Sequence, residues 1–77
     1  MIMLKPGSTI GILGGGQLGR MLAQAAAQLG LQCHVFSSEA DACSFQVVQR
    51  ATLADFSDQA ALEKFARDCD VITYEFE

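Results

Sequence analysis

Basic residues are scarce in this sequence, and their scarcity argues against two classes of partner. The chain has 77 residues, of which five are Lys or Arg and nine are Asp or Glu, so its formal net charge is −4. Nucleic acids and anionic membranes both select for clustered positive charge. We therefore expect neither nucleic acid nor a membrane as a partner. The 51% share of hydrophobic residues is typical of a globular chain and not of a disordered one.

Long apolar runs and paired cysteines are also missing. No apolar run approaches the ~20 residues that cross a bilayer, and residues 1–8 show no signal-peptide pattern. The cysteines Cys33, Cys43 and Cys69 have no CxxC spacing, and His34 alone would not complete a zinc site. We expect reduced thiols that pack as small hydrophobic side chains, no metal site and a cytoplasmic location.

Apolar runs that end at turn residues alternate with helical patterns along the chain. Strands are predicted over residues 9–13, 31–36, 51–53 and 71–74. The first helix is predicted over residues 17–29 with Gly30 as its end, and Ser57 is predicted to cap the second. Residues 37–50 are predicted to form a loop with room for one helical turn. This alternation predicts a Rossmann-like, doubly wound parallel α/β sheet, partial, with about four strands in the order 3-2-1-4.

Both helices carry an apolar stripe that we expect to face the sheet. The stripe of the first helix, at helical spacing, consists of Leu18, Met21, Leu22, Ala25 and Leu29. The stripe of the second consists of Leu62, Phe65, Ala66 and Cys69.

A glycine loop joins the first strand to the first helix. Residues 14–19 read GGGQLG, which satisfies GxGxxG in the strand–loop–helix setting that this motif needs. Gly14 is expected to permit the tight turn, Gly16 to let a ligand reach the backbone, and Gly19 to let helix and strand approach closely. The unpaired N–H groups and positive end of the helix suit a phosphate or another anion. Glycines kept only for tight packing, Gly15 included, are the alternative.

Acidic positions bear on which ligand the loop would hold. A site for NAD needs Asp or Glu at the end of the second strand to bind the ribose hydroxyls. Ser37 and Ser38 stand there instead, and the first acid is Glu39. This disfavours, without excluding, a dinucleotide-binding domain of an NAD(P)-dependent dehydrogenase. Glu75 follows the last strand, at the edge where open α/β sheets bind ligands, although a solvated loop acid is an equal alternative.

Four segments together resemble a known family. They are GILGGGQLGRMLAQAA at 11–26, EADA at 39–42, ADFSD at 54–58 and CDVITYEFE at 69–77. They resemble the amino terminus of the 5-(carboxyamino)imidazole ribonucleotide synthase family, purine-pathway ligases of the ATP-grasp superfamily. The resemblance implies that residues 1–77 form an incomplete amino-terminal pre-ATP-grasp domain, with the ATP-grasp and carboxy-terminal domains absent.

The resemblance also implies a reaction and a set of contacts. ATP and bicarbonate would carboxylate aminoimidazole ribonucleotide, with the ATP and magnesium ligands outside this chain and no catalytic residue within it. Gln17, Leu18 and Glu75 match positions that contact the ribonucleotide, Gln17 by its amide, Leu18 by its backbone and Glu75 by its carboxylate. The full-length form is expected to be a homodimer. The fragment alone is expected to be inactive.

Two departures from the family pattern and one further alternative stay open. Ser37 and Ser38 stand where relatives often have an Asp-Pro-like turn, and Cys43 stands where proline is common. We expect both places to lie away from the ligand site and to alter only the shape of the loop. The further alternative is a stand-alone module that senses a nucleotide without catalysis.

Overall fold

The structure of the chain is a computed structural model that describes residues 5–74. Four strands and two α-helices alternate, with a short 3-10 helix between the second and third strands. The strands are β1 Thr9–Leu13, β2 Gln32–Ser37, β3 Arg50–Leu53 and β4 Val71–Tyr74. The helices are α1 Gln17–Gln28, the 3-10 helix Cys43–Val47 and α2 Gln59–Arg67. The predicted elements are confirmed, with ends that move by at most one residue.

The four strands form one parallel sheet in the order β3-β2-β1-β4. In the register of the central pair, Ile12 lies opposite Val35. On the other side of β1, Leu13 lies opposite Tyr74. The chain thus runs outward from β1 to β3 and then crosses back to β4 through α2. The predicted α/β class and strand order are confirmed.

Each face of the sheet is covered by one α-helix, because alternate residues of a strand point to opposite faces. On one face, Ile12 and Val35 form a buried cluster with Ala23 and Ala26 of α1. On the other face, Phe65 of α2 lies edge-on to the rings of both His34 and Phe36, at centroid distances of 4.8 and 5.4 Å. The sheet is therefore doubly wound, as the sequence predicted.

The stripe predicted to bury α1 is wrong for most of its members. Leu18, Met21 and Leu29 are 47, 63 and 72% exposed. The buried residues of α1 are instead Gly19, Ala23 and Ala26. Residues this small let the helix axis lie close to the sheet. The neighbouring stripe of the helix, which carries Leu18, Met21 and Leu29, then faces solvent. The larger side chains need more room than that close approach leaves.

The predicted burial of α2 is correct at its centre only. Phe65 is 1% exposed, and Leu62 and Cys69 are half-buried, whereas Ala66 is exposed. The helix is short, nine residues, so its buried stripe narrows to one large aromatic side chain.

One of the two predicted helix ends is confirmed and the other is wrong. Gly30, with φ of 78°, follows α1 and donates its N–H to the carbonyl of Ala27 at 3.1 Å, so its predicted role is confirmed. The predicted cap of α2 is wrong by one residue. Asp58 is the N-cap and accepts a hydrogen bond from the N–H of Ala61 at 3.0 Å. Ser57 donates to the Asp55 carboxylate instead, at 2.6 Å through its hydroxyl.

Gly11, in the middle of β1, allows α2 to reach the sheet. A Cβ at this position would lie 2.6 Å from Cys69 Sγ and 2.8 Å from Phe65 Cζ. Gly11→Ala is therefore expected to lower the free energy of unfolding by about 1–3 kcal/mol, because the aromatic ring and the thiol have no free space to enter. Urea denaturation followed by circular dichroism measures this. Gly16→Ala is the matched control, since its Cβ would meet nothing within 4 Å and its stability should be unchanged.

His34 is a titratable side chain inside the fold. It is 5% exposed, its Nε2 lies 2.6 Å from Thr52 Oγ1, and its buried Nδ1 has no hydrogen-bond partner among residues 5–74. Burial lowers the pKa of His34 below its ordinary value of 6.5, Asp68 opposes the shift, and Arg50 adds to it. Protonation therefore disfavours the folded state.

Because the folded-state pKa of His34 lies below the unfolded value, the unfolded chain binds the extra proton first. Stability should be fully present above about pH 6.5 and fall as the pH drops through the lower, folded-state pKa. His34 is the only histidine of the chain. Urea midpoints measured from about pH 7.5 to 5 should show this fall, and His34→Gln should flatten it. An equal fall in the variant would assign the effect to other groups.

Candidate functional site

The glycine motif of residues 14–19 begins with a loop, Gly14–Gly16, at the carboxyl end of β1, one of the two inner strands of the sheet. Gly14 has φ of 113°, a conformation that side chains rarely tolerate, and donates its N–H to the carbonyl of Phe36 at 2.8 Å. The predicted tight turn at Gly14 is confirmed. The bond to β2 fixes the loop against the neighbouring strand.

The next two glycines have opposite surroundings. A Cβ at Gly15 would lie 2.5 Å from the Cβ of Ala42 and 3.1 Å from Ser37, so this backbone is enclosed. A Cβ at Gly16 would meet nothing within 4 Å, and Gly16 is exposed. The open side of the loop is therefore at Gly16, where the sequence predicted that a ligand reaches the backbone. That ligand contact stays a prediction.

Gly19 is buried in the first turn of α1, under the loop. A Cβ there would lie 3.0 Å from the carbonyl oxygen of Gly14 and 3.5 Å from Ile12 of β1. The predicted close approach of helix and strand is confirmed. The contact extends to Ser44, whose Oγ would be 3.2 Å away.

The two departures from the family pattern lie against the glycine loop, so the expectation that they lie away from it is wrong. Ser37 ends β2 beside Gly15. Cys43 begins the 3-10 helix, and its thiol donates to the carbonyl of Gly15 at 3.5 Å. The reason is that the loop between β2 and β3 turns back over the carboxyl end of β1. Cys43 and Gly15 are therefore in contact although 28 positions separate them in the sequence.

The start of α1 offers hydrogen-bond donors to solvent. Gly16 is its N-cap and has no side chain to accept from the first N–H groups, unlike Asp58 at the start of α2. Gln17 and Leu18 occupy the first turn and are exposed. Arg20 in the same turn donates to Gln46 Oε1 at 2.7 Å, which ties α1 to the 3-10 helix. Free N–H groups and the positive end of the helix dipole favour an anion here.

Of the three residues predicted to contact the ribonucleotide, the structure brings Gln17 and Leu18 together with the glycine loop. Glu75 lies outside the described residues. The last described residue before it, Tyr74, is opposite Leu13, which immediately precedes the loop. In sequence, Glu75 and Gly14 thus follow two residues that are paired in the sheet.

Two of the three thiols, those of Cys33 and Cys69, are poor candidates for chemistry. All three cysteines are free. Burial raises the pKa of Cys33, and burial, with Asp68 and Asp70 nearby, raises the pKa of Cys69 to about 11. Both therefore stay protonated at neutral pH, and a protonated thiol is neither a nucleophile nor a good metal ligand.

Within residues 5–74, no helix is long and apolar enough to cross a membrane.

Comparison with known proteins gives close relatives for nearly the whole chain. The chain is 54% identical over 76 residues to the bifunctional purine synthesis protein purC/E of Dictyostelium discoideum, covering 99% of the chain and 8% of that protein. It is 54% identical over 74 residues to N5-carboxyaminoimidazole ribonucleotide synthase of Brucella melitensis, covering 96% of the chain and 20% of that protein. The chain thus spans a fifth or less of the length of these relatives.

Solved structures share the fold. The N5-carboxyaminoimidazole synthetase of Staphylococcus aureus superposes with a TM-score of 0.92 at 45% identity, over 95% of this chain and 20% of that one. The synthase of Aspergillus clavatus, solved in complex with ADP and 5-aminoimidazole ribonucleotide, superposes with a TM-score of 0.75 at 33% identity. That match covers 92% of this chain and 19% of the other.

A match to one domain over nearly the whole chain identifies its family. The model of the ribonucleotide synthetase pre-ATP-grasp domain matches residues 7–77, all but the first six positions. That match agrees with the strand order and the glycine loop described above. The chain belongs to the ribonucleotide synthetase pre-ATP-grasp domain family.

Proposed function

We propose that the whole protein to which this chain belongs is an ATP-dependent ligase that makes N5-carboxyaminoimidazole ribonucleotide in purine biosynthesis. The observation that carries this proposal is the 54% identity over 96% of the chain to the Brucella melitensis synthase. The chain is the amino-terminal domain of that ligase or the first part of it. Its own task is to bind the ribonucleotide.

The proposed reaction has two steps. Bicarbonate attacks the γ-phosphorus of ATP, which releases ADP and forms carboxyphosphate. The exocyclic amine of aminoimidazole ribonucleotide then attacks the carboxyl carbon, phosphate leaves, and the amine loses a proton. The products are the N-carboxylated ribonucleotide, ADP and phosphate.

This chain contributes positioning to that reaction. The open backbone at Gly16 and the first turn of α1 supply N–H donors for an anionic or polar part of the ribonucleotide. Gln17 offers its amide and Leu18 its backbone. Glu75 would accept hydrogen bonds from the amine or the ribose hydroxyls. These contacts would hold the ribonucleotide for its reaction with carboxyphosphate.

ATP and magnesium are proposed to bind outside residues 5–74. Within these residues no group of three or more His, Cys, Asp or Glu side chains could hold a metal ion. The Aspergillus clavatus synthase was solved with ADP and ribonucleotide together, and this chain covers only 19% of its length. The full-length form is proposed to be a homodimer. A cytoplasmic location remains a prediction that three free thiols favour.

The alternatives are less well supported. β2 ends at Ser37, which has no carboxylate for the ribose of NAD, and the family is that of ribonucleotide synthetases. A stand-alone sensing module would not account for relatives about five times as long.

The proposed function is tested by phosphate release from the whole protein. Release should require ATP, bicarbonate and aminoimidazole ribonucleotide together, and omission of the ribonucleotide should reduce it to background. Calorimetric titration with NAD and NADP should show no micromolar binding. Micromolar binding of either cofactor, with no phosphate release, would contradict the ligase and favour the dehydrogenase.

A further inference from the structure

Ser44 contacts the glycine loop through two hydrogen bonds. Its backbone N–H donates to the carbonyl of Gly15 at 3.1 Å. Its hydroxyl donates to the carbonyl of Gly16, also at 3.1 Å. The thiol of the preceding residue, Cys43, adds a weaker bond to the Gly15 carbonyl. Two successive loop carbonyls are thus held by the first turn of the 3-10 helix.

Ser44 is an unusual residue to find in this place. Serine is mostly exposed in folded proteins, whereas Ser44 is 0% exposed and belongs with Phe36 and Phe65 among the most buried side chains. A buried hydroxyl is costly unless it is hydrogen-bonded. The hydroxyl bond from Ser44 goes to the Gly16 carbonyl, which already accepts the helical bond from the N–H of Arg20 at 3.0 Å.

Holding these carbonyls also fixes the amide groups on the other side of the same peptide units. Each peptide is planar, and none of those described is cis, so a C=O and the N–H of the next residue point in opposite directions. The Gly15 carbonyl fixes the N–H of Gly16, and the Gly16 carbonyl fixes the N–H of Gln17. Both N–H groups are therefore directed away from Ser44.

Such control matters because three successive glycines have little conformational preference of their own. Glycine reaches regions of φ and ψ that other residues avoid. The Gly16 carbonyl is held in part by the helical bond from the N–H of Arg20. Ser44 adds a second donor to that carbonyl and also holds the Gly15 carbonyl, so both peptide groups keep the orientation in which the N–H groups of Gly16 and Gln17 point away from Ser44.

We propose that Ser44 is a positioning residue for the ribonucleotide: it sets the direction of the Gly16 and Gln17 N–H groups that bind this substrate. The inference rests on the proposed function. Ser44 itself touches neither substrate nor reacting atoms. It acts through the loop, so its loss should affect binding of the ribonucleotide and leave ATP use and the chemical step unchanged.

The test is steady-state kinetics of the whole protein with Ser44→Ala. The KM for aminoimidazole ribonucleotide should rise about 3- to 10-fold, the worth of one neutral hydrogen bond. The kcat and the KM for ATP should stay within about twofold, since no N–H group that binds ATP is displaced. Ser57→Ala is the matched control, because this exposed serine bonds to Asp55 and does not contact the loop. Its three constants should match the wild type.

A second variant keeps the test informative if Ser44→Ala does not fold. Ser44→Cys keeps nearly the same volume but donates only weakly, so it should fold and show a smaller rise in the same KM. Unchanged ribonucleotide KM in both folded variants, even with a lower melting temperature, would overturn the positioning role and leave Ser44 purely structural. Wild-type protein that releases no phosphate with ribonucleotide would instead contradict the proposed function. The two failures are therefore distinguishable.

Discussion

Glu75→Gln in the whole protein should raise the KM for aminoimidazole ribonucleotide, or lower kcat/KM, by about 10- to 150-fold. A hydrogen bond to a charged carboxylate contributes roughly 1.5–3 kcal/mol, and the substitution removes the charge while keeping the volume. The KM for ATP should change little, because ATP is proposed to bind outside this chain. Steady-state kinetics with each substrate varied in turn measures both constants.

Two further variants are compared with Glu75→Gln. Gln17→Ala should change the same constant more mildly, because a neutral amide contributes less than a carboxylate. Glu63→Gln is the matched control, an exposed glutamate on α2 that should leave every constant unchanged. If Glu75→Gln is folded and has wild-type kcat and KM, Glu75 is a solvated acid of a loop and not a ligand of the ribonucleotide.

Gly15→Ala should impair both the fold and binding of the ribonucleotide. The new Cβ would lie 2.5 Å from the Cβ of Ala42, an atom fixed to the backbone, so the loop or the 3-10 helix has to move. Such overpacking costs about 1–3 kcal/mol of stability. A shift of about 1 Å in a binding group can cost on the order of 100-fold, and we expect at least about a tenfold loss of kcat/KM for the ribonucleotide. Urea denaturation and kinetics measure the two effects.

Gly16→Ala separates the two effects. Its Cβ meets no protein atom within 4 Å, so stability should stay at the wild-type value. Because a bound ligand is proposed to reach this backbone, the KM for the ribonucleotide should still rise. If Gly16→Ala has a wild-type KM, the ligand does not approach Gly16, and the loop glycines serve packing alone.

The fold was predictable because its determinants are local. The run from Thr9 to Leu13 has the apolar, β-branched character of a buried parallel strand, and Gly30 marks the end of α1. Right-handed crossovers then leave few possible strand orders. The cap of α2 was misplaced because Ser57 and Asp58 are both good caps, and only the bond from Ser57 to Asp55 decides between them.

The buried face of α1 was not predictable from hydrophobicity. The larger apolar side chains of α1 form a regular stripe, but the sheet selects Gly19, Ala23 and Ala26 because they permit a shorter distance. A stripe of small residues at spacing i, i+4, i+7 was the available signal. That spacing places the three small residues on one face of the helix, and the larger apolar residues then lie on the neighbouring face.

The glycines of the site were predictable, and their supports were not. Gly14 and Gly19 carry a spacing with a known physical cause, and their roles follow from the motif. Ser44 and Ala42 meet the loop across roughly 28 positions of irregular chain, the separation of the Ser44–Gly16 bond. No periodicity in residues 37–50 signals such a contact. The burial of Ser44 and its bond to the loop can be recognised only when the fold is known.

The central claim is that this chain binds the ribonucleotide and not ATP. A crystal structure of the whole protein with aminoimidazole ribonucleotide and ADP both bound tests it most directly. We expect the ribonucleotide against residues 15–18, with ADP in contact with none of residues 5–74. ADP phosphates on the glycine loop, with the ribonucleotide bound elsewhere, would contradict the account.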